Sequence, residues 1–309
     1  MAEDNETLDA EEAPSGEVPH AVQNAPEKGE AVPDFFNLDE VYRRVLATAD
    51  EELRLSNTLL FWSGLTGGLV LGLCILARAA FTALAPDGGN GLVANLLYPV
   101  GFIFLILGRY QLFTENTLTP VALVLTRLAS VRDLLRIWGV VLAANIVGAA
   151  LFAALLAFTG VLSPEGTRAA ISFGEHLIEA GPWDAFYKAI LAGWLLAGIV
   201  WLVHAARETL ARVVLIWLLI YLQICADLFH CVVGSVEVLF LIFKGSAGLG
   251  DYLFRFLVPV VLGNTLGGVV FVAFLNYMQF GEDKGRFSER GDKLSWREWL
   301  TGTTRTQGE

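Results

Sequence analysis

The chain has 309 residues, 55% of them hydrophobic, and a mean hydropathy of +0.56, which excludes an ordinary soluble domain of this size. The net charge of -11 lies mostly at one end: residues 1–34 hold ten Asp and Glu against the single base Lys28, leaving 22 acids and 20 bases elsewhere. That balance excludes a basic surface, so no nucleic-acid partner is expected.

Residues 1–36 read as a disordered acidic tail, because they carry Pro14, Pro19, Pro26 and Pro33 and too little apolar surface to fold. They also lack the apolar h-region of a signal peptide. Residues 37–55 follow as an amphipathic helix: Leu38, Val41, Tyr42, Val45, Leu46 and Leu53 recur at helical spacing. Asn37 with Glu40 three residues on marks its start. Such a helix lies at a membrane interface or under a bundle.

Residues 56–281 form the membrane part, with apolar stretches near 57–84, 91–126, 134–162, 184–206, 211–243 and 252–280. The second and fifth are too long and mixed for simple helices, and each accommodates two half-helices joined by a break. Residues 282–309 are a tail. Arginines and lysines cluster before the first stretch, between the second and third, between the fourth and fifth, and after the sixth. By the positive-inside rule both termini are cytoplasmic and the number of spans is even. Cys74, Cys225 and Cys231 all fall in apolar runs without metal-site spacing and read as small buried hydrophobes.

The two halves share motifs. "LFTENTLTPV" from Leu112 is matched by "LFHCVVGSVEV" from Leu228, 116 residues later; Asn145 and Gly148 in "ANIVGA" are matched by Asn264 and Gly267 in "GNTLGG", 119 residues later. Together these indicate a duplicated three-span unit. Three is odd, so the second copy enters the membrane inverted, as in transporters and channels. In this arrangement Asn145, Gly148, Asn264 and Gly267 serve helix packing and support of the broken backbone.

His230 stands out, since an ionisable group inside a span usually faces a cavity or pathway. Thr114 is its expected repeat partner and second polar contact. Arg109, Glu115, Asp227 and Glu237 also lie in or near spans and call for pairing. The plainer expectation is a structural pair of Arg109 with Glu115 or Glu237; the sharper one is an Arg109 that attracts anions to a pore mouth. Lys188 opens the fourth span, where it either snorkels or adds positive potential to a vestibule.

Leu112-Phe113-Thr114 in the broken second span, His230 in the broken fifth and "VPVVLGNTLGG" from Val258 resemble the formate/nitrite transporter family over roughly residues 38–281. The resemblance is to a divergent, YfdC-like branch, since Phe229, Gly234 and Gly193 stand where many members have Glu, Asn and Asn. It implies an all-α membrane protein of aquaporin-like fold: six transmembrane segments, inverted three-helix repeats, broken second and fifth helices. It also implies one pore per subunit of a homopentamer, passing small monovalent anions of weak acids. His230 and Thr114 would be the central pair, Leu112, Phe113 and Phe102 the cytoplasmic constriction, and Tyr98 would lie toward the outer one. The expected partners are a small anion, a proton and the lipid bilayer of a bacterial or archaeal inner membrane. No cofactor, metal or enzymatic activity is expected: neither His-Glu-x-x-His nor Gly-x-Ser-x-Gly occurs.

Overall fold

The computed structural model describes residues 36–84, 91–279 and 293–302, so the acidic tail and much of the C-terminal tail lie outside the described residues. Helix α1 (Leu38–Arg54) starts on the expected capping box: Asn37 Oδ1 accepts from Glu40 N–H and Glu40 Oε2 accepts from Asn37 N–H. Such a cap stabilises a helix by about 1 kcal/mol. Its apolar face, Val41, Tyr42, Val45, Leu46 and Ala49, is buried, and it packs on helix α5 (Thr119–Leu125).

Four helices are long and apolar enough to cross a membrane: α2 (Asn57–Leu84), α6 (Val131–Phe158), α8 (Gly181–Ala205) and α11 (Asp251–Gln279). Wide π-type turns occur in α11 at Asp251–Leu257 and Val269–Phe274. The second apolar stretch is broken into the one-turn α3 (Gly91–Ala94), α4 (Val100–Leu107), a 3-10 turn (Glu115–Thr117) and α5. The fifth is broken into α9 (Thr209–Cys225) and α10 (Cys231–Phe243). Two further helices lie outside these stretches: α7 (Pro164–Glu179), capped by Ser163, and α12 (Trp296–Thr301), capped by Ser295. The sequence reading left residues 163–180 as a connection. Ser163-Pro164 is a helix-start signal, and α7 packs on α10, with Gly174 close against Glu237.

The α1 end and the α7 end are opposite. At the α1 end, Arg136 near the start of α6 donates to Leu53 O and Leu55 O, and His204 near the end of α8 meets Thr48 of α1. At the α7 end, Lys244 beyond α10 donates to Ala157 O of α6. The chain therefore runs up, down, up through its first three crossings and down, up, down through the next three.

Matched contacts tie the halves together. α2 packs on α6, and α8 on α11. A Cβ on Gly68 would collide with Asn145 O, and one on Gly193 with Asn264 O. Likewise Gly148 abuts Leu65 O and Gly267 abuts Ile190 O. Such close approach requires small residues at the crossing. Cys74 and Cys231 are buried, but Cys225 is exposed, because it falls on the far side of α9 from that helix's buried face.

Candidate functional site

Each broken stretch turns back into the bundle. Two residues past the end of α4 lies Arg109, and two past the end of α9 lies Asp227, both with left-handed backbone, φ 56° and 55°. In each, the next N–H closes a wide turn: Tyr110 N to Leu105 O, and Leu228 N to Gln223 O.

Three residues later an asparagine grips the returning chain. Asn145 Oδ1 accepts from Phe113 N–H (2.9 Å), while its amide donates to Gln111 O (3.0 Å) and Gly64 O (2.7 Å). Asn264 does the same around the second break, with Cys231 N–H (2.9 Å), Phe229 O (3.0 Å) and Ala189 O (2.8 Å). Each clasp satisfies backbone groups that a break in a helix leaves unpaired. The clasps enclose Leu112 and His230, so through the breaks the repeat register is 118 residues rather than the 116 read from Leu-Phe-Thr and Leu-Phe-His. In structural register His230 corresponds to Leu112, not to Thr114.

Thr114 nevertheless meets His230 directly: its Oγ1 lies 2.9 Å from Nε2, in a buried contact. His230 is the N-cap of α10, and its Nδ1 accepts from Val233 N–H at 3.2 Å. With Nδ1 an acceptor, the neutral ring carries its proton on Nε2 and donates it to Thr114 Oγ1. Phe102 packs edge-on to the His230 ring, centroids 5.3 Å apart, with Tyr98, in the turn just before α4, at 6.4 Å from Phe102. Phe113 instead packs against Trp138 at 5.8 Å. The ring contacts thus group Phe102 with His230 and Tyr98, whereas the sequence reading grouped it with Leu112 and Phe113. Leu112 is fully buried.

The charges pair differently from expectation. Arg109 meets Glu51 of α1 at 3.5 Å in an exposed contact, not Glu115 or Glu237. Glu237 is buried and meets Arg78 of α2 at 3.4 Å; Arg78 also donates to Asn95 Oδ1 and lies over the Phe173 ring. Lys188 pairs with Asp227, whose carboxylate also takes His176 Nε2 at 2.8 Å, and Lys188 Nζ sits 4.7 Å from the centre of the Phe229 ring.

At the α1 end, a cavity of about 660 Å³ is lined by Arg109, Glu115, Glu51, Glu52, His204 and Arg212, among others. Glu52 accepts from Thr119 Oγ1 at 2.6 Å and from Gln111 Nε2 at 3.4 Å. Burial pushes its carboxyl up to about 7, against the opposing pull of those two hydrogen bonds and of the Arg109 charge. The polar groups of Glu52, Arg78 and His176 escaped the sequence reading as site residues. Glu52 reads there as one more charge on an amphipathic helix. Among the described residues, no cluster of three His, Cys, Asp or Glu is placed to hold a metal ion.

Residues 39–278 match the profile of a family described as "Formate/nitrite transporter". The chain belongs to that family. It is 35% identical to "Inner membrane protein YfdC" of Escherichia coli (strain K12) over 246 residues, covering 79% of each chain. It is 29% identical to a "Probable formate transporter" of Methanothermobacter thermautotrophicus, covering 66% of this chain and 79% of that one. Among solved structures, an "FNT family ion channel" superposes with a TM-score of 0.72 at 23% identity, over 78% of this chain and 99% of the other. A "Pentameric formate channel with formate bound" superposes with a TM-score of 0.60 at 20% identity, over 76% and 98%. The all-helical membrane fold is thus shared with formate/nitrite transporter channels. Gly193, where the family resemblance leads one to expect Asn, is explained by the Asn264 carbonyl that fills the space of any side chain there.

Proposed function

We propose that this formate/nitrite transporter homologue conducts small monovalent anions of weak acids, with proton linkage at His230. The carrying observation is the buried Thr114–His230 hydrogen bond where the two re-entrant breaks meet. A bare anion at the middle of a bilayer is costly by several kcal/mol, and a neutral acid far less so. An anion drawn to either mouth would therefore cross this region as its conjugate acid. The Nε2–H of His230 would release Thr114 and donate to the substrate oxygen, and Thr114 would offer a second polar contact.

In this reading Leu112, Phe113, Phe102 and Tyr98 form the apolar walls on either side of the pair, and Arg109 and Lys188 sit near opposite mouths. Both cations are already matched by Glu51 and Asp227, so their role is recruitment at modest potential. Asn145, Gly148, Asn264 and Gly267 hold the breaks in place. The α1 end is the cytoplasmic one, by the positive-inside distribution of Arg and Lys, which puts both termini in the cytoplasm. A homopentamer accords with the pentameric relative and with the many apolar side chains exposed on the single subunit, such as Leu151, Leu155, Trp194 and Leu218.

Glu52 and Glu115 in the cavity at the α1 end favour a second reading, a path for a cation. Reversal potentials across a salt gradient separate the two. The main experiment is a proteoliposome flux panel of formate, nitrite, acetate, lactate, hydrosulfide and chloride at two pH values. Weak-acid flux that rises at the lower pH, with little chloride flux, is the expected result. Flux with no pH dependence, or unchanged flux and selectivity in His230→Asn, contradicts the proposal.

A further inference from the structure

Gln223 of α9 is fully buried, and among the described residues neither its side-chain Oε1 nor its Nε2 has a hydrogen-bond partner. Buried amides are rarely left in this state, because each unmade bond leaves a desolvated dipole uncompensated. A polar species that reaches the amide transiently is one physical explanation.

Its position limits what that species can be. Ile216, Ile220 and Gln223 form the buried stripe of α9 at helical spacing. The same stripe continues to Arg212, which lines the cavity at the α1 end, and two residues past the end of α9 comes Asp227, which holds His176 and Lys188 at the α7 end. Other faces of α9 are occupied or exposed: Trp217 and Tyr221 donate to Leu96 O and Leu92 O, and Leu218 and Leu222 are exposed. α9 packs against α8 and against α4, which carries Phe102 edge-on to His230. Gln223 thus lies on the interior face of α9, four residues before Asp227 and seven before His230.

We propose that Gln223 is a selectivity residue that contacts the transported acid on the α7 side of His230. This rests on the reading of a conduction path through Thr114 and His230. A carboxamide presents a carbonyl acceptor beside an N–H donor. An undissociated carboxylic acid presents the complement, an O–H donor beside a carbonyl acceptor, so the two close a ring of two hydrogen bonds. A carboxylate or chloride offers acceptors only, and hydrogen sulfide has a weak donor and no carbonyl. The favoured class is therefore the undissociated carboxylic acid.

The test uses the full chain in proteoliposomes at one pH, measuring formate and hydrosulfide uptake in wild type, Gln223→Leu, Gln223→Met and His230→Asn. Both Gln223 variants should lower formate flux about tenfold relative to hydrosulfide, the loss expected when a hydrogen-bonding partner of the substrate is removed. Hydrosulfide flux reports an intact pore, and the nearly isosteric Met variant decides if the Leu variant does not fold. Formate and hydrosulfide fluxes that fall together, or that both stay at wild-type level, overturn the assignment of Gln223. If His230→Asn leaves both fluxes unchanged while the Gln223 variants shift selectivity, the central-pair reading falls and Gln223 stands. A wild type that passes neither species overturns both.

Discussion

The two breaks share one scaffold and differ in what that scaffold displays. Each has a left-handed residue at the end of a helix, three residues of return, and an asparagine that grips the returning backbone. At the gripped position the first break holds Leu112 and the second His230. The consequence appears in the next residues. His230 caps α10, which starts at once at Cys231. Leucine cannot cap, so the first break continues through Phe113, Thr114 and a 3-10 turn before α5 begins at Thr119. That delay carries Thr114 to His230. The backbone device is duplicated, and the polar chemistry arises from the asymmetry laid on it.

Removing a clasp should have the largest effect. Asn264→Ala and Asn145→Ala each leave one backbone N–H and one carbonyl of the return loop unpaired, at about 1–3 kcal/mol for each buried group. Both variants should lose several kcal/mol of stability, measured by thermal unfolding in detergent. Equal, small losses would show that the clasps are incidental.

A second set of variants separates the cap from the pair. His230→Leu makes the second break resemble the first and removes the N-cap, at a cost of about 1–2 kcal/mol. His230→Asn restores a good capping side chain and should regain most of that stability while still altering flux. If the two variants are equally stable, the cap is not what starts α10.

The α1 end adds a pH dependence of its own through Glu52. The Glu52 carboxyl sits near 7 in the folded protein against an ordinary 4.5, so the folded state binds more protons in that window. The Glu52 contribution to stability should therefore fall as pH rises from about 4.5 to 7, by on the order of 3 kcal/mol, and level off above. Glu52→Gln should flatten the slope; thermal unfolding across pH 5 to 8 reads it. The smallest effect is expected for Arg109→Ala, whose pair with Glu51 is exposed on both sides, with a stability change below about 0.5 kcal/mol.

Much of this architecture was legible from residue pattern. Hydrophobic run length places the four long helices within about three residues at their starts, as for α6 and α8, because membrane thickness fixes the length. The capping box at Asn37 and the Asn-x-x-Gly pairs were readable for the same reason: each is a local rule. The register through the breaks was not. Leu-Phe-Thr and Leu-Phe-His align by letters, yet the backbone is held by side chains 33 or so residues further on, and only the hydrogen bonds of Asn145 and Asn264 reveal the two-residue shift. Charge partners were hidden likewise: Arg78 with Glu237 and Glu52 with Thr119 join residues 159 and 67 positions apart, a separation that helical spacing does not address. Helix α7 went unseen because its apolar face is narrow and its start signal is two residues, Ser163 and Pro164.

The central claim is that Thr114 and His230 act together on the substrate. A double-mutant cycle on formate flux tests it, with Thr114→Val, His230→Asn and the double variant in proteoliposomes. The account predicts strong coupling: each single variant lowers flux, and the double variant lowers it little further, a non-additivity of about 1 kcal/mol or more. Independent effects, with the double loss equal to the product of the single losses, would contradict it.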